Sequence, residues 1–304
     1  MDLARPFRAR APSRHFAAYI APARARPGLW RLVLGIVLIV AVYLGLTMAV
    51  FVVWTLGLGS EASQALVERV ASAAAPGPTL LLFATFVPLV LGVALITRFL
   101  HKRRAGTLFG PRHKVLKDFV IAGAAVTLVH GLGLFLWGTA FEVTPNLPLG
   151  LWIAILPLTL IAIAVQTLAE ELLFRGYMLQ QLAVRCPRPL VWMVLPSILF
   201  GVLHFDPARL GEVAVPTVTF AILFGLMAAD LTARTGGLGA AWGAHFANNV
   251  LAIAVLATSG TVTGLARFVT PYGVDDLTFE PLLLAVELLP ILFLWWLLRR
   301  VLVR

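Results

Sequence analysis

Charge is what this 304-residue sequence has least of. Only 12% of it is Asp, Glu, Lys or Arg, about half the fraction usual for a soluble domain. Cysteine is nearly absent too. The single Cys186 can make neither an internal disulfide nor a thiolate metal cluster, which excludes an oxidised scaffold and a zinc ribbon. No HExxH pair marks a metalloprotease helix. Acidic residues number 14 against 24 Lys and Arg, for a net charge of +10. What the chain does have is 60% hydrophobic residues and a mean hydropathy of +0.94. These values exclude a disordered chain and a soluble globule and leave a multi-span membrane protein.

A helical span of a ~30 Å hydrocarbon core takes about 20 residues. Eight apolar stretches are candidates: 32–56, 79–97, 119–140, 149–184, 190–205, 216–233, 237–258 and 281–298. The fourth is overlong and polar in places, and the fifth is short and interrupted by Pro196. Runs of Leu, Val, Ala and Ile without period-2 alternation favour helices over a β-barrel. The expected fold is an all-α, polytopic helix bundle of about eight spans.

An even number of spans sorts 21 of the 24 basic residues to one side, with only Arg69, Arg209 and Arg267 on the other. By the positive-inside rule both termini are then cytoplasmic. The basic excess reads as a topology signal and a contact with anionic lipid headgroups, not as a nucleic-acid footprint. Residues 1–29, rich in Arg and Pro, are expected to form a disordered cytoplasmic arm ahead of a transmembrane domain, 30–304. No apolar core of a cleavable signal precedes the first span, which is expected to act as an anchor. Segments 57–78 and 259–280 read as outer loops.

Ionisable residues at bilayer depth are costly and mark sites or buried pairs. The fourth span carries Gln166, Glu170, Glu171 and Arg175, the fifth His204, and the seventh His245, Asn248 and Asn249. Glu171 and Arg175 lie four apart and can pair on one face. Glu170 points about 100° away, has no basic residue one turn off, and can take a hydrogen bond from Gln166. A lone carboxylate at such depth suits proton transfer. His245 and Asn249 share a face, with Asn248 the alternative. At 1.5 Å per residue from the nearest loop, Glu170 lies about 22 Å deep, His204 about 21 Å and His245 about 12 Å. A common site then needs several Å of tilt or boundary slack. His130 reads as a packing residue with one hydrogen bond, and Asp230 with Arg234 as an interfacial pair. Glu287 has no partner within its own span, and Asp206 either orients His204 or sits in an outer loop.

Three motifs follow in chain order within residues 170–249: EExxxR at Glu170–Arg175, FxxxH at Phe200–His204 and HxxxN at His245–Asn249. In this the chain resembles the CPBP family of intramembrane proteases, which groups CAAX prenyl endopeptidases with bacteriocin-processing and Abi-type immunity proteins. The resemblance implies a protease-like core over about 149–258. It also implies that Glu170 and His204 activate water, that His245 and Asn249 supply oxyanion donors, and that Glu171 and Arg175 hold the geometry. The implied substrate is a membrane-associated or lipidated peptide or protein.

Zinc bound by Glu170, His204 and His245 with an open fourth position is the alternative chemistry. It would use up the obvious base, so no cofactor is required in the favoured reading. Two other classes compete. One is a non-catalytic immunity or scaffold protein of the same family. The other is a proton-coupled transporter, against which no inverted repeat is visible. The Ala/Arg/Leu-rich composition suggests a bacterial cytoplasmic membrane.

Overall fold

The computed structural model describes residues 13–140, 142–277 and 281–303. The described chain is a bundle of helices. In order they are α1 (Arg14–Ile20), α2 (Leu29–Leu58), α3 (Ser60–Ser72), α4 (Pro76–Ala84), α5 (Phe86–Phe99) and α6 (Arg112–Ala140), followed by α7 (Leu149–Glu171) and α8 (Leu179–Ala183). Then come α9 (Leu195–Val202), α10 (Pro207–Leu210), α11 (Ala214–Thr235), α12 (Gly239–Asn249) and α13 (Pro281–Leu302). Among the described residues, five helical stretches are long and apolar enough to cross a membrane: Leu29–Leu58, Pro76–Phe99, Arg112–Thr139, Leu149–Ala183 and Pro207–Thr235. The architecture is that of a predominantly helical integral membrane protein. The stretch around α9 is shorter, as its Pro196 suggested.

Three departures from the sequence reading have physical causes. Residues 13–25, expected within a disordered arm, are ordered. Ser13 caps α1 by accepting from the Phe16 amide at 3.1 Å, and Phe16, Tyr19 and Ile20 are buried. Their i, i+3, i+4 spacing makes an apolar stripe that the surrounding arginines obscure. The outer segment 57–78 contains a full helix, α3, begun at Gly59, whose φ of +83° turns the chain sharply after α2. The third departure is a small sheet on an otherwise helical fold. Its strands are β1 (Thr144–Pro145), β2 (Leu256–Ser259) and β3 (Phe268–Gly273), in the order β1-β3-β2. β3 runs antiparallel to β1 and parallel to β2. Its backbone pairing satisfies polar groups in what read as open loop and, at β2, as the end of the seventh span, 237–258, whose helical part stops at Val255.

The basic segments gather at one end of the bundle. Arg185 donates to the Gly28 carbonyl at 2.7 Å, and Tyr19 to the Leu108 carbonyl at 2.7 Å. At the other end Arg209 reaches the Ser72 carbonyl at 3.2 Å, and Asn146 reaches Thr263 at 2.8 Å. Asp206 belongs to this end too. It caps α10 by accepting from the Arg209 amide at 3.1 Å. The side chain of Glu287 lies outside the described residues.

α12 lies against α6 through Gly239 and Gly243, a GxxxG spacing of the kind that lets helix backbones approach closely in membranes. A Cβ on Gly239 would strike the Val115 carbonyl, and one on Gly243 the Phe119 carbonyl. Gly243→Leu is therefore expected to lower the midpoint of thermal denaturation in detergent, at a cost of about 1–3 kcal/mol or more from forced separation of the helices. Gly131→Ala, on α6 but with open space around it, should leave the midpoint unchanged or raise it.

Candidate active site

Each motif-bearing helix is locally widened. A π-helical stretch, Leu172–Met178, follows Glu171; another, Leu190–Val194, precedes α9; a third, Val250–Val255, follows Asn249. Such widened turns recur at functional sites, because they rotate side chains off the regular α-helical positions. Pro196 lies two residues past the Leu190–Val194 turn inside one continuous helix, Leu190–Val202, and its missing amide interrupts the hydrogen-bond ladder there.

Glu171 is the hub of the buried polar group. Its Oε1 takes Arg175 Nη1 at 3.1 Å and His245 Nδ1 at 2.9 Å, and all three residues are buried. The i, i+4 pair expected from the sequence thus forms and also holds a histidine from α12. Phe200 lies against the Arg175 guanidinium, 4.5 Å from ring centroid to Cζ, and Phe174 and Phe224 lie farther out at 5.8 and 5.9 Å. Arg175 Nη2 has no hydrogen-bond partner. The aromatic faces stabilise that buried charge instead.

Because a carboxylate oxygen only accepts, His245 Nδ1 carries the proton. Its Nε2 therefore faces outward, 3.5 Å from Glu170 Oε2. Glu170 Oε2 is buried and takes no hydrogen bond from a protein group. Two acceptors at that separation are stable together only with a proton on one of them or a donor between them. The pair is built for proton transfer. Residue counting set Glu170 and His245 about 10 Å apart in depth; packing brings them together.

The other oxygen of Glu170 is positioned by amides. Gln166 Nε2 donates to Glu170 Oε1 at 2.8 Å, and Asn249 Nδ2 donates to Gln166 Oε1 at 2.9 Å. Asn248 Nδ2 donates to Asn249 Oδ1 at 3.2 Å. Asn249 thereby belongs to the site, and one amide hydrogen of its side chain is left to serve another acceptor.

His204 stands differently. Its Nδ1 donates to the Phe200 carbonyl of its own helix at 2.8 Å, which leaves Nε2 as the basic atom. It is half-buried, and Phe200 links it to the rest: the ring centroid lies 4.7 Å from His204 and 5.9 Å from His245. Among the described residues no three His, Cys, Asp or Glu side chains are placed to hold one metal ion. Phe224 was the residue the sequence did not single out, whereas the expected Gln166–Glu170 bond forms. Phe200 was visible as the first residue of FxxxH, and Gln166 as a helical neighbour of Glu170.

The basic end of the π-helical stretch is fixed by a second buried group. His101, between α5 and α6, contacts the Tyr177 hydroxyl through Nε2 at 2.8 Å and accepts from Gln181 Nε2 at Nδ1, 3.2 Å. Burial, then the charges of Arg103, Arg185, Arg31 and Arg26, push the His101 pKa down to about 4. The native protein therefore holds His101 neutral where the unfolded chain protonates it. Its contribution to stability is complete above pH ~6.5, falls as pH drops from there to about 4, and is flat below. About 3 kcal/mol is expected to be lost across that window. Thermal midpoints in detergent at pH 7.5 and 4.5 check this. His101→Gln should shrink the difference, and an unchanged pH dependence would remove His101 as its source.

Residues 152–251 match the family model described as type II CAAX prenyl endopeptidase Rce1-like. That segment contains all three motifs, so the resemblance they suggested holds for the part of the chain that carries them. The uncharacterized protein YyaK of Bacillus subtilis (strain 168) is 29% identical over 179 residues, 57% of this chain and 59% of the relative. The chain thus matches less than two thirds of that relative's length. No solved structure matches.

Proposed function

We propose that this Rce1-like chain is an intramembrane endopeptidase that hydrolyses a peptide bond in a membrane-associated or lipidated substrate, using water activated by Glu170. The observation that carries this reading is the buried Glu170 Oε2, held 3.5 Å from His245 Nε2 while Gln166 fixes the opposite oxygen. Glu170 takes a proton from water as the water attacks the scissile carbonyl and returns it to the leaving amine as the C–N bond breaks, with His204 Nε2 as the second basic atom. The remaining amide hydrogen of Asn249 donates to the developing oxyanion, and His245 Nε2 does so when the proton taken up by Glu170 is shared across their 3.5 Å contact. Glu171 steadies the imidazole through its Nδ1, and Arg175 holds the same Glu171 oxygen from the other side. The donors act in a water-poor setting, where each is worth more than in bulk.

The reaction so written needs no metal. The protein is placed in a bacterial cytoplasmic membrane, with about eight helical segments, both termini inside, membrane lipids as neighbours and no nucleic-acid partner. New protein termini mapped in native membranes, with wild type or Glu170→Gln at equal abundance, test the activity. Termini that arise only with wild type support it and identify the substrate. Identical termini in both samples would sink the protease reading and leave binding or immunity in its place.

A further inference from the structure

A second polar cluster lies away from the motif residues, where α11 and α13 end. A cavity of about 510 Å³ is lined there by Arg234, Arg299 and Arg300 with Trp295 and Trp296, within the size range of small-molecule sites. Its arginines are organised. Asp230 receives Arg234 Nε at 2.8 Å and Arg299 Nε at 3.4 Å, and Trp295 Nε1 donates to the same carboxylate at 2.9 Å. Because Asp230 engages both guanidiniums at Nε, their terminal nitrogens remain for another acceptor. Arg300 sits 5.7 Å from the Trp296 ring centroid. One carboxylate among three guanidiniums leaves a local surplus of two positive charges.

Arginines in the last turn of a helix commonly answer the helix dipole and mark topology. Neither role requires a shared carboxylate, two tryptophans and a cavity of this size. The remaining wall is apolar, formed by Leu292 and Val303. Guanidiniums beside an apolar wall at a membrane boundary match a phosphodiester with an attached acyl chain, and Trp side chains favour that level of the bilayer. Basic pockets between spanning helices bind anionic headgroups for this reason.

We propose that this cavity is a binding site for an anionic phospholipid, with the headgroup phosphate held by Arg299, Arg300 and Arg234 and an acyl chain running along Leu292. The proposal is independent of the proteolytic reading. It is tested by native mass spectrometry of the purified full-length protein titrated with phosphatidylglycerol or with phosphatidylcholine of the same chains. Wild type should retain phosphatidylglycerol at least about tenfold more tightly, and Arg299→Gln/Arg300→Gln should weaken it about fivefold per arginine removed. Arg24→Gln/Arg98→Gln, which removes two exposed charges elsewhere, should stay within about twofold of wild type. Equal retention of the two lipids by wild type overturns the proposal even if the double variant does not fold. Unchanged binding in a folded double variant overturns it as well. Displacement of the lipid by millimolar inorganic phosphate would assign the cavity to a free anion instead.

Discussion

Glu170→Gln is expected to lower substrate turnover by about 10²–10⁴-fold, the range lost with a general base, while the protein accumulates and melts as wild type does. The structural case for an intact fold is local. Gln166 Nε2 donates to Glu170 Oε1, and a glutamine carbonyl can accept the same bond. The substitution removes the ionisable oxygen facing His245 and leaves the size of the side chain unchanged. Turnover of the substrate found by terminus mapping, measured with purified protein in bilayers, checks the loss. A variant that retained activity to within about tenfold would reassign the base, with His204 the next candidate. Asn249→Leu separates the roles further. It removes an oxyanion donor and unties Gln166, so it should reduce turnover while leaving Glu170 able to take a proton.

Arg175→Leu is expected to damage stability rather than chemistry alone. Arg175 is 2% exposed and Glu171 0%. Removing one member of a buried pair leaves the other charge uncompensated, at about 3–5 kcal/mol. The chain should accumulate poorly and melt at a lower temperature in detergent. Replacing both members, Glu171→Leu with Arg175→Leu, should recover much of that loss, because well-packed apolar side chains often replace a buried pair without penalty. Activity should not return with it, since His245 Nδ1 loses its acceptor and the imidazole its orientation. A folded, inactive double variant separates the two duties of Glu171. If Arg175→Leu cost under about 1 kcal/mol, the pair would be no more than an exposed ion pair in its effect.

Much of this was legible because hydropathy and helical spacing act locally. Uncharged runs dictate membrane helices whatever their neighbours, since backbone groups in lipid must bond within the segment. The four-residue spacing of Glu171 and Arg175, or of Asp230 and Arg234, brings each pair together on any helix. Gln166 beside Glu170 follows from the same rule. The order in the arm was hidden because Phe16, Tyr19 and Ile20 form one short apolar stretch with Ala17 and Ala18, set among arginines and prolines. The small sheet was hidden because β1 and β3 lie far apart in sequence, and neither strand carries a long period-2 pattern.

The sequence by itself determined that the chain is a helical membrane protein and which polar residues it must bury, because insertion in lipid penalises every charge left without a partner. Only the tertiary structure decided how those residues are joined. It set His245 between Glu171 and Glu170, tied Asn249 to Gln166, and held His204 apart on the Phe200 carbonyl. Those contacts depend on α12 lying against α6 at Gly239 and Gly243, and on π-helical turns that rotate side chains out of the regular α-helical register. Interhelical approach and local widening are products of packing, and residue spacing along one helix does not encode them.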